Sequence, residues 1–281
     1  MITTLCVIIC SIIICCIIFL IVNNFNKKQK IIVSLTTSPR RIFLMKNVID
    51  SILNQTVKPD YIRINIPYIH KRSNQPYKIP TFILKNPKIK VCVYDEDFGP
   101  IMKILPAILE EKDATIIYTD DDVLMLPKTI EVFIKYVSND PNYVYCLSGF
   151  DYYRNFKWNY NKNFFSEFVN IPEGYMSVCL HSSLIKNINK KLLLEYYNLC
   201  KKDEFCFTSD DLILGNFFAM NNIKIIRIHE DHTNFHKWWN SGCELSYGKE
   251  GDGIQHISDD QHYTRYNNAY DFLVLNKINY I

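Results

Sequence analysis

The sequence lacks a strong charge bias, the cysteine spacing of a zinc site and the glycine-rich motif of a P-loop. Its 32 basic and 29 acidic residues leave a net charge of +3, which is too small a bias to favour nucleic-acid binding. No Cys-x-x-Cys spacing occurs among the ten cysteines, so a zinc site is not expected. No P-loop motif is found either. Residues 31–281 contain no internal repeat and no low-complexity linker, and their length fits one domain.

A long apolar run occupies the N-terminus. Residues 5–22 carry no charge, and about 20 apolar residues are enough to cross a bilayer core. A cleaved signal peptide is the alternative, but no basic residue precedes the run and no small-residue cleavage site follows it. We therefore predict a membrane anchor and short linker over residues 1–26, followed by one domain over residues 27–281. The lysines that follow the run favour a cytosolic domain under the positive-inside tendency.

Five of the six cysteines outside this run fall into two groups. Cys92, Cys146 and Cys179 lie in apolar, strand-like runs and are predicted to be core thiols. Cys200 and Cys206 bracket a polar segment, and we expect that they could pair in an oxidising compartment.

Strand-like runs alternate with helical patterns through the rest of the chain. Strands separated by helices of ten or more residues favour β-α-β units and a mainly parallel sheet. Ligands of such sheets bind at the carboxyl ends of the strands. The predicted strands are 31–36, 61–67, 90–94, 115–119, 143–149, 177–181 and 223–228, and the predicted helices are 41–54, 100–111, 127–137 and 209–220.

The strongest local signal is a run of three aspartates, Asp120, Asp121 and Asp122, directly after a predicted buried strand. Three adjacent carboxylates repel one another unless water, a cation or hydrogen bonds neutralise them. Hard divalent cations such as Mg²⁺ and Mn²⁺ prefer carboxylate oxygen, so a metal site is one interpretation and a solvated acidic turn is the other. Extended alternation would place Asp120 and Asp122 on one side and Asp121 on the opposite side.

A second acidic pair, Asp210 and Asp211, opens the predicted helix 209–220, which its sequence pattern predicts to be amphipathic. Helix capping explains such a pair without any function, because acidic residues are favoured in the first turn. In combination with the first run, one of these carboxylates becomes a candidate general base, since an acceptor hydroxyl needs a positioned group to take its proton.

Several segments together resemble the GT-A class of glycosyltransferases, including family 2-like and β-1,3-galactosyltransferase-like enzymes. The resemblance covers roughly residues 31–270 and depends on the order of the segments. They are SLTTSPRR (34–41), SILNQTVKPDYIRINIP (51–67), DFGPIMKILPAI (97–108), the DXD-like TDDDV (119–123) and SDDLILG (209–215).

The resemblance implies an α/β GT-A fold, a Rossmann-like mixed and mainly parallel sheet flanked by helices. It also implies a Mn²⁺ or Mg²⁺ ion, held by Asp120 and Asp122, that binds the diphosphate of a nucleotide-sugar. Asp121 would hold the ribose or the donor sugar, and Lys103 would reach the nucleotide or its phosphates. The nucleotide pocket would be lined by Thr36, Thr37 and Arg40.

Two further roles follow from the same resemblance. Asp211 would be the catalytic base, with Asp210 positioning the acceptor or the donor sugar. This sequence has Asp210 where the class often has Glu, so the base assignment between the two stays open. Members of the class often add a C-terminal histidine to the metal site. His256, which precedes the last predicted helix, is placed best, and a surface histidine is the alternative for each candidate: His229, His232, His236, His256 and His262.

These expectations predict a membrane-anchored enzyme that transfers a sugar from a nucleotide-sugar to a hydroxyl of a glycan, glycolipid or glycoprotein. A single displacement would invert the anomeric centre. Such enzymes usually face the Golgi lumen, which conflicts with the cytosolic side that the lysines favour, so the side stays open. The alternatives are a metal-dependent nucleotidyltransferase or phosphoryl-transfer enzyme, and an inactive nucleotide-sugar-binding protein on the same scaffold.

Overall fold

The computed structural model describes residues 29–152, 168–186, 188, 190–228 and 259–281. Contacts divide the chain into two units, Met1–Lys30 and Ile31–Ile281. Among the described residues, no helix is long and apolar enough to cross a membrane. The predicted anchor lies outside these residues, so it stays a prediction.

A mixed eight-stranded sheet forms the centre of the second unit, in the order β5-β2-β1-β6-β11-β7-β12-β9. Two small antiparallel pairs, β3 with β4 and β8 with β10, lie outside it. The strands are β1 (Lys30–Leu35), β2 (Tyr61–Pro67), β3 (Ile69–His70), β4 (Gln75–Pro76), β5 (Ile89–Tyr94), β6 (Ala114–Tyr118), β7 (Val144–Cys146), β8 (Gly149–Phe150), β9 (Phe168–Val169), β10 (Ile171–Pro172), β11 (Val178–His181) and β12 (Ile225–Arg227).

Helices connect these strands, and several are short. The α-helices are α1 (Lys46–Leu53), α2 (Thr81–Leu84), α3 (Leu105–Glu110), α4 (Thr129–Asn139), α5 (Ser182–Lys186), α6 (Lys190–Cys200), α7 (Glu204–Thr208), α8 (Asp210–Met220) and α9 (Asp259–Leu275). Short 3₁₀ turns cover Arg41–Phe43, Gly99–Lys103 and Gly174–Met176.

The two halves of the sheet pair differently. Strand β2 pairs in parallel with both β1 and β5, and β12 pairs in parallel with β7. Strand β11 is antiparallel to both of its neighbours, with Val178 opposite Tyr118 of β6 and also opposite Cys146 of β7. The prediction of an α/β fold with a mixed sheet is therefore confirmed. Strand β11 and the edge strand β9, which is antiparallel to β12, break the parallel pattern.

Side chains of β6 alternate between two cores, one on each face of the sheet. Ile116 and Tyr118 belong to a core that includes residues of α8 and α9. Ile117 belongs to a second core, which includes residues of α1 and α4. Because helices cover both faces, all five residues of β6 are buried. The strand is thus held from both sides at the point where the acidic run begins.

Three predicted elements differ from the observed ones. The predicted helix 41–54 divides into a 3₁₀ turn, Arg41–Phe43, and the α-helix α1. The predicted helix 100–111 divides into the 3₁₀ turn Gly99–Lys103 and the α-helix α3. Pro106 occupies the first turn of α3, the part of a helix that accepts proline. Helix α8 was expected to be amphipathic, but residues 212–218 are all buried, so it is a central helix with no solvent face over that stretch.

Helix α8 packs closely against the strand pair β8–β10. A Cβ atom built on Gly215 would lie 2.2 Å from the carbonyl oxygen of Asn170, so glycine is needed for this approach.

The thiols of Cys200 and Cys206 are both buried and free, and no disulfide joins them in this structure. The Sγ of Cys206 instead donates to the carbonyl of Ala269 in α9, at 3.6 Å. Cys146 and Cys179 are buried core thiols as predicted, whereas Cys92 is only half-buried.

Candidate active site

The acidic run lies at the carboxyl end of β6, beside the end of β1. The backbone N–H of Thr119 donates to the carbonyl of Ser34 in β1 at 3.2 Å. Regular strand geometry stops at Tyr118, and the three aspartates form a turn. This is the edge of the sheet where the sequence places a ligand site.

Lys103 joins the two acidic groups that are far apart in the sequence. Its Nζ lies 2.6 Å from Oδ1 of Asp120 and 2.8 Å from Oδ2 of Asp210. The lysine side chain is only 5% exposed. The two acidic segments therefore converge on one buried ammonium, which is the arrangement that the sequence interpretation required.

Arg41 neutralises the other two aspartates of the run. Its Nη2 contacts Oδ1 of Asp121 and lies 2.6 Å from Oδ2 of Asp122. The expectation that Asp121 faces away from Asp122 is wrong, because both carboxylates contact Arg41. The reason is that alternation applies only to extended strands, and this run is a turn. Asp120 contacts Lys103 instead, and it lies close enough to Asp122 for its charge to raise the pKa of Asp122. We call the five carboxyl groups of the two segments the acidic cluster: Asp120, Asp121, Asp122, Asp210 and Asp211.

Gly174 closes the cluster from the other side. Its backbone N–H donates to Oδ1 of Asp211 at 3.1 Å. A Cβ atom at this position would lie 2.7 Å from Nζ of Lys103 and 3.2 Å from Oδ1 of Asp211. A side chain at this position would therefore require the end of Lys103 to shift. The segment after β10 thus fixes the orientation of the Asp211 carboxyl group.

Burial dominates the electrostatics of these carboxyl groups. It raises the pKa of Asp121 to about 7, with Arg41 opposing the shift and Asp122 adding to it. Burial and the neighbouring Asp210 raise the pKa of Asp211 well above its usual value, although Lys103 opposes this. Burial alone would lower the pKa of Lys103, but Asp120 and Asp210 outweigh that effect and raise it. Lys103 is therefore held in its charged form, whereas burial favours the protonated form of Asp211.

Two buried hydroxyl groups next to the cluster have no hydrogen-bond partner among the described residues. They are the Tyr118 hydroxyl at the end of β6 and the Ser209 hydroxyl just before α8. Both side chains are at most 1% exposed. An unpaired buried hydroxyl costs about 1–3 kcal/mol, so each is expected to find a water or ligand atom.

The three residues predicted to line a nucleotide pocket lie in different surroundings. The Thr36 hydroxyl donates to the carbonyl of Asn65 at 2.7 Å, which uses its proton inside the sheet. Thr37 is buried and its hydrogen bond to Asp121 lowers the pKa of that carboxyl group. Arg40 is exposed, and the neighbouring Arg41 is the residue that contacts the cluster.

Two of the three predicted metal ligands, Asp120 and Asp122, lie in the described part of the chain. Side chains of Asp120 and Asp122 are 33% and 23% exposed, and the charge of Asp120 helps to raise the pKa of Asp122, although burial is the larger cause. Two repelling, accessible carboxylates fit a hard divalent cation, since Mg²⁺ is usually held by one or two carboxylates together with substrate phosphates. Within the described residues, no group of three or more His, Cys, Asp and Glu side chains is arranged to hold a metal ion. His256 lies outside them.

Glu173 is a polar residue of the site that the sequence interpretation missed. The Ser148 hydroxyl donates to its Oε2 at 2.5 Å, and its own N–H donates to the carbonyl of Ser148 at 3.0 Å. Burial raises its pKa to about 7 against the opposing effects of Ser148 and Arg227. It directly precedes Gly174, so it lies beside Asp211, whose pKa its charge also raises. A single Glu in the loop after a predicted strand gave no pattern by which to find it.

We expect Glu173→Gln to stabilise the fold at alkaline pH. The pKa of Glu173 is about 7 in the folded chain, above its ordinary value of 4.5. Such a group destabilises the folded chain increasingly as the pH rises from 4.5 to about 7. The free energy of unfolding of the variant, relative to the natural chain, should rise by on the order of 2–3 kcal/mol between pH 5 and pH 8. Urea unfolding at both pH values measures this difference. The exposed Glu195→Gln is the control, and an equal pH response of the two variants would contradict the assignment.

Comparison with known proteins gives a structural likeness but no sequence match. No family model matches the chain, and no curated protein matches it. Among solved structures, the chain is similar to the mannosyltransferase PcManGT from Pyrobaculum calidifontis, solved in complex with GDP-Man and Mn²⁺. The sequence identity is 11% and the TM-score is 0.45. The match covers 74% of this chain and 59% of that one, so this chain spans less than two thirds of its length.

Proposed function

We propose that this chain is a cation-dependent glycosyltransferase that moves a sugar from a nucleotide-sugar donor to an acceptor hydroxyl. One observation carries the proposal: carboxylates from two distant segments meet at the ammonium of Lys103, at the carboxyl end of β6. A helix cap does not explain this meeting, because Asp210 is held by a residue more than one hundred positions away in the sequence. The segments that meet are the same ones that carry the GT-A resemblance.

The more exposed carboxylates, Asp120 and Asp122, would hold a Mn²⁺ or Mg²⁺ ion. Such an ion neutralises charge on the departing nucleoside diphosphate. Asp121 is fixed by Arg41, and its Oδ2 is buried without a hydrogen-bond partner among the described residues. That oxygen is the acceptor left for a ribose or sugar hydroxyl of the donor. In this proposal, Asp120 and Asp122 hold the cation and Asp121 binds the donor.

Asp211 is the better candidate for the general base. Asp210 is committed to Lys103, whereas Asp211 accepts a backbone N–H from Gly174 and keeps its second oxygen for another proton donor. Its raised pKa brings it closer to the pH at which a base works best. In a single displacement, the acceptor oxygen bonds to the anomeric carbon, the bond from that carbon to the diphosphate oxygen breaks, and the hydroxyl proton passes to Asp211. This geometry inverts the anomeric centre.

Product analysis tests the proposed reaction. The full-length chain is incubated with a panel of nucleoside-diphosphate sugars, with Mn²⁺ or with EDTA, and the released nucleotide is identified. We expect one donor to be hydrolysed slowly in the presence of Mn²⁺, with release of a nucleoside diphosphate and loss of activity in EDTA. Release of pyrophosphate or phosphate would identify a phosphoryl-transfer enzyme instead. Donor binding with no turnover would identify an inactive binding protein.

A further inference from the structure

Lys103 is enclosed by the groups of the acidic cluster. It ends the 3₁₀ turn Gly99–Lys103, and its Nζ is within hydrogen-bond distance of Asp120 and Asp210. Gly174 packs against the end of the side chain so closely that a Cβ atom would collide with Nζ. The ammonium therefore meets bulk solvent most readily past Asp120, because Asp120 is 33% exposed and Asp210 only 12%.

The cluster carries more negative than positive charge. Among the described residues, its five carboxyl groups face two cations, Arg41 and Lys103. Each cation is shared between two carboxylates, so the cluster stays short of positive charge even when Asp211 is protonated. Like charges repel strongly in such a partly buried site, and a second cation entering beside Asp120 would be repelled by the ammonium already there.

We propose that Lys103 is a displaceable counter-ion, which holds Asp120 in the cation-free chain and sets how tightly a divalent cation binds there. On cation binding, the ammonium gives up Asp120 and keeps Asp210. The inference rests on the proposed function, because it concerns the same Asp120 and Asp122 carboxylates. It differs from the role expected from the sequence, in which Lys103 reaches the nucleotide phosphates.

The unpaired Tyr118 hydroxyl supports a second position for the ammonium. It is fully buried and has no hydrogen-bond partner in the described part of the chain. Charge effects on Tyr118 come from Asp211, Lys103 and Asp210, so it lies on the inner side of the cluster. Its oxygen is therefore a candidate acceptor for the ammonium once Asp120 is released.

Calorimetric titration of Mn²⁺ into the full-length chain, without any nucleotide, tests the inference. We expect Lys103→Met to bind Mn²⁺ about tenfold or more tightly than the natural chain, because the competing charge is gone. Lys191→Met removes an exposed lysine, paired with Glu195 on α6, and should leave Mn²⁺ affinity unchanged. Equal or weaker binding by Lys103→Met would overturn the inference while leaving the cation site intact.

A second pair of variants covers the case in which Lys103→Met fails to fold, since it leaves Asp210 without its cation. Asp210→Asn and the double variant Lys103→Met with Asp210→Asn differ only in the lysine. The double variant should bind Mn²⁺ about tenfold or more tightly than Asp210→Asn. If no chain of the series binds Mn²⁺, the proposed cation site itself is wrong. If all of them bind Mn²⁺ with equal affinity, the site is right and only the inference about Lys103 is wrong.

Discussion

Asp211→Asn should reduce sugar transfer by about 10²–10⁴-fold while the donor affinity stays within about twofold. The amide keeps the shape of the side chain and can still accept the N–H of Gly174, which lies 3.1 Å from Oδ1 in the natural chain. It cannot take a proton from the acceptor hydroxyl. Initial rates at saturating donor, together with donor binding by calorimetry, separate the loss of the base from a loss of binding.

Unfolding is excluded as the cause by the sign of the stability change. Burial and Asp210 raise the pKa of Asp211, so its ionised form destabilises the folded chain at neutral pH. A neutral amide removes this effect, and the variant should unfold at a higher urea concentration than the natural chain at pH 8. Asp50→Asn, on the exposed face of α1, is the matched control for the loss of one carboxylate.

The pH dependence of transfer gives a third result. Since a base acts in its deprotonated form, the turnover number should rise with pH through the raised pKa of Asp211 and then level off. If Asp211→Asn kept full transfer and Asp210→Asn were inactive, Asp210 rather than Asp211 would be the base. Transfer that survives in both variants would end the proposal of a carboxylate base in this segment.

Strand positions were predictable because they depend on continuous apolar runs. The sequence predicts β2 with the observed bounds, Tyr61–Pro67, and predicts β6 to within one residue at each end. Burial within β2 was harder to foresee. Alternation in its sequence predicts one polar face, yet Arg63 and Asn65 are buried, because Glu110, Glu111 and Ser34 from other elements satisfy their polar atoms. Such long-range pairing has no signal in a local pattern.

The candidate site was predictable at the level of segments but not of side chains. An acidic run after a buried strand must lie at the edge of the sheet, so Asp120–Asp122 could be placed. Which cation faces each carboxylate depends on backbone angles in turns, and a turn has no fixed period. Arg40 and Arg41 therefore could not be told apart from the sequence, although one is exposed and the other contacts two aspartates.

Arg41→Gln should lower the free energy of unfolding by about 1–2 kcal/mol at pH 8, because it leaves the buried Asp121 carboxylate without its partner. The cost stays within this range because Asp121, whose pKa is about 7, can then take up a proton. The adjacent Arg40→Gln is exposed and should change stability by less than about 0.5 kcal/mol. Urea unfolding of the two variants compares the same substitution at neighbouring positions. Equal effects would show that the contact of Arg41 with Asp121 does not stabilise the fold.

Two further measurements, one at a lower pH and one in a second variant, test whether Asp121 causes this loss of stability. Its pKa is about 7 in the folded chain, and Arg41 lowers it, so Asp121 is largely protonated at pH 5 with or without Arg41. The cost of Arg41→Gln should therefore be smaller at pH 5 than at pH 8. Asp121→Asn removes the buried charge, and in that background Arg41→Gln should cost less than it does alone. A cost that depends neither on pH nor on Asp121 would assign the effect of Arg41 to packing or to Asp122.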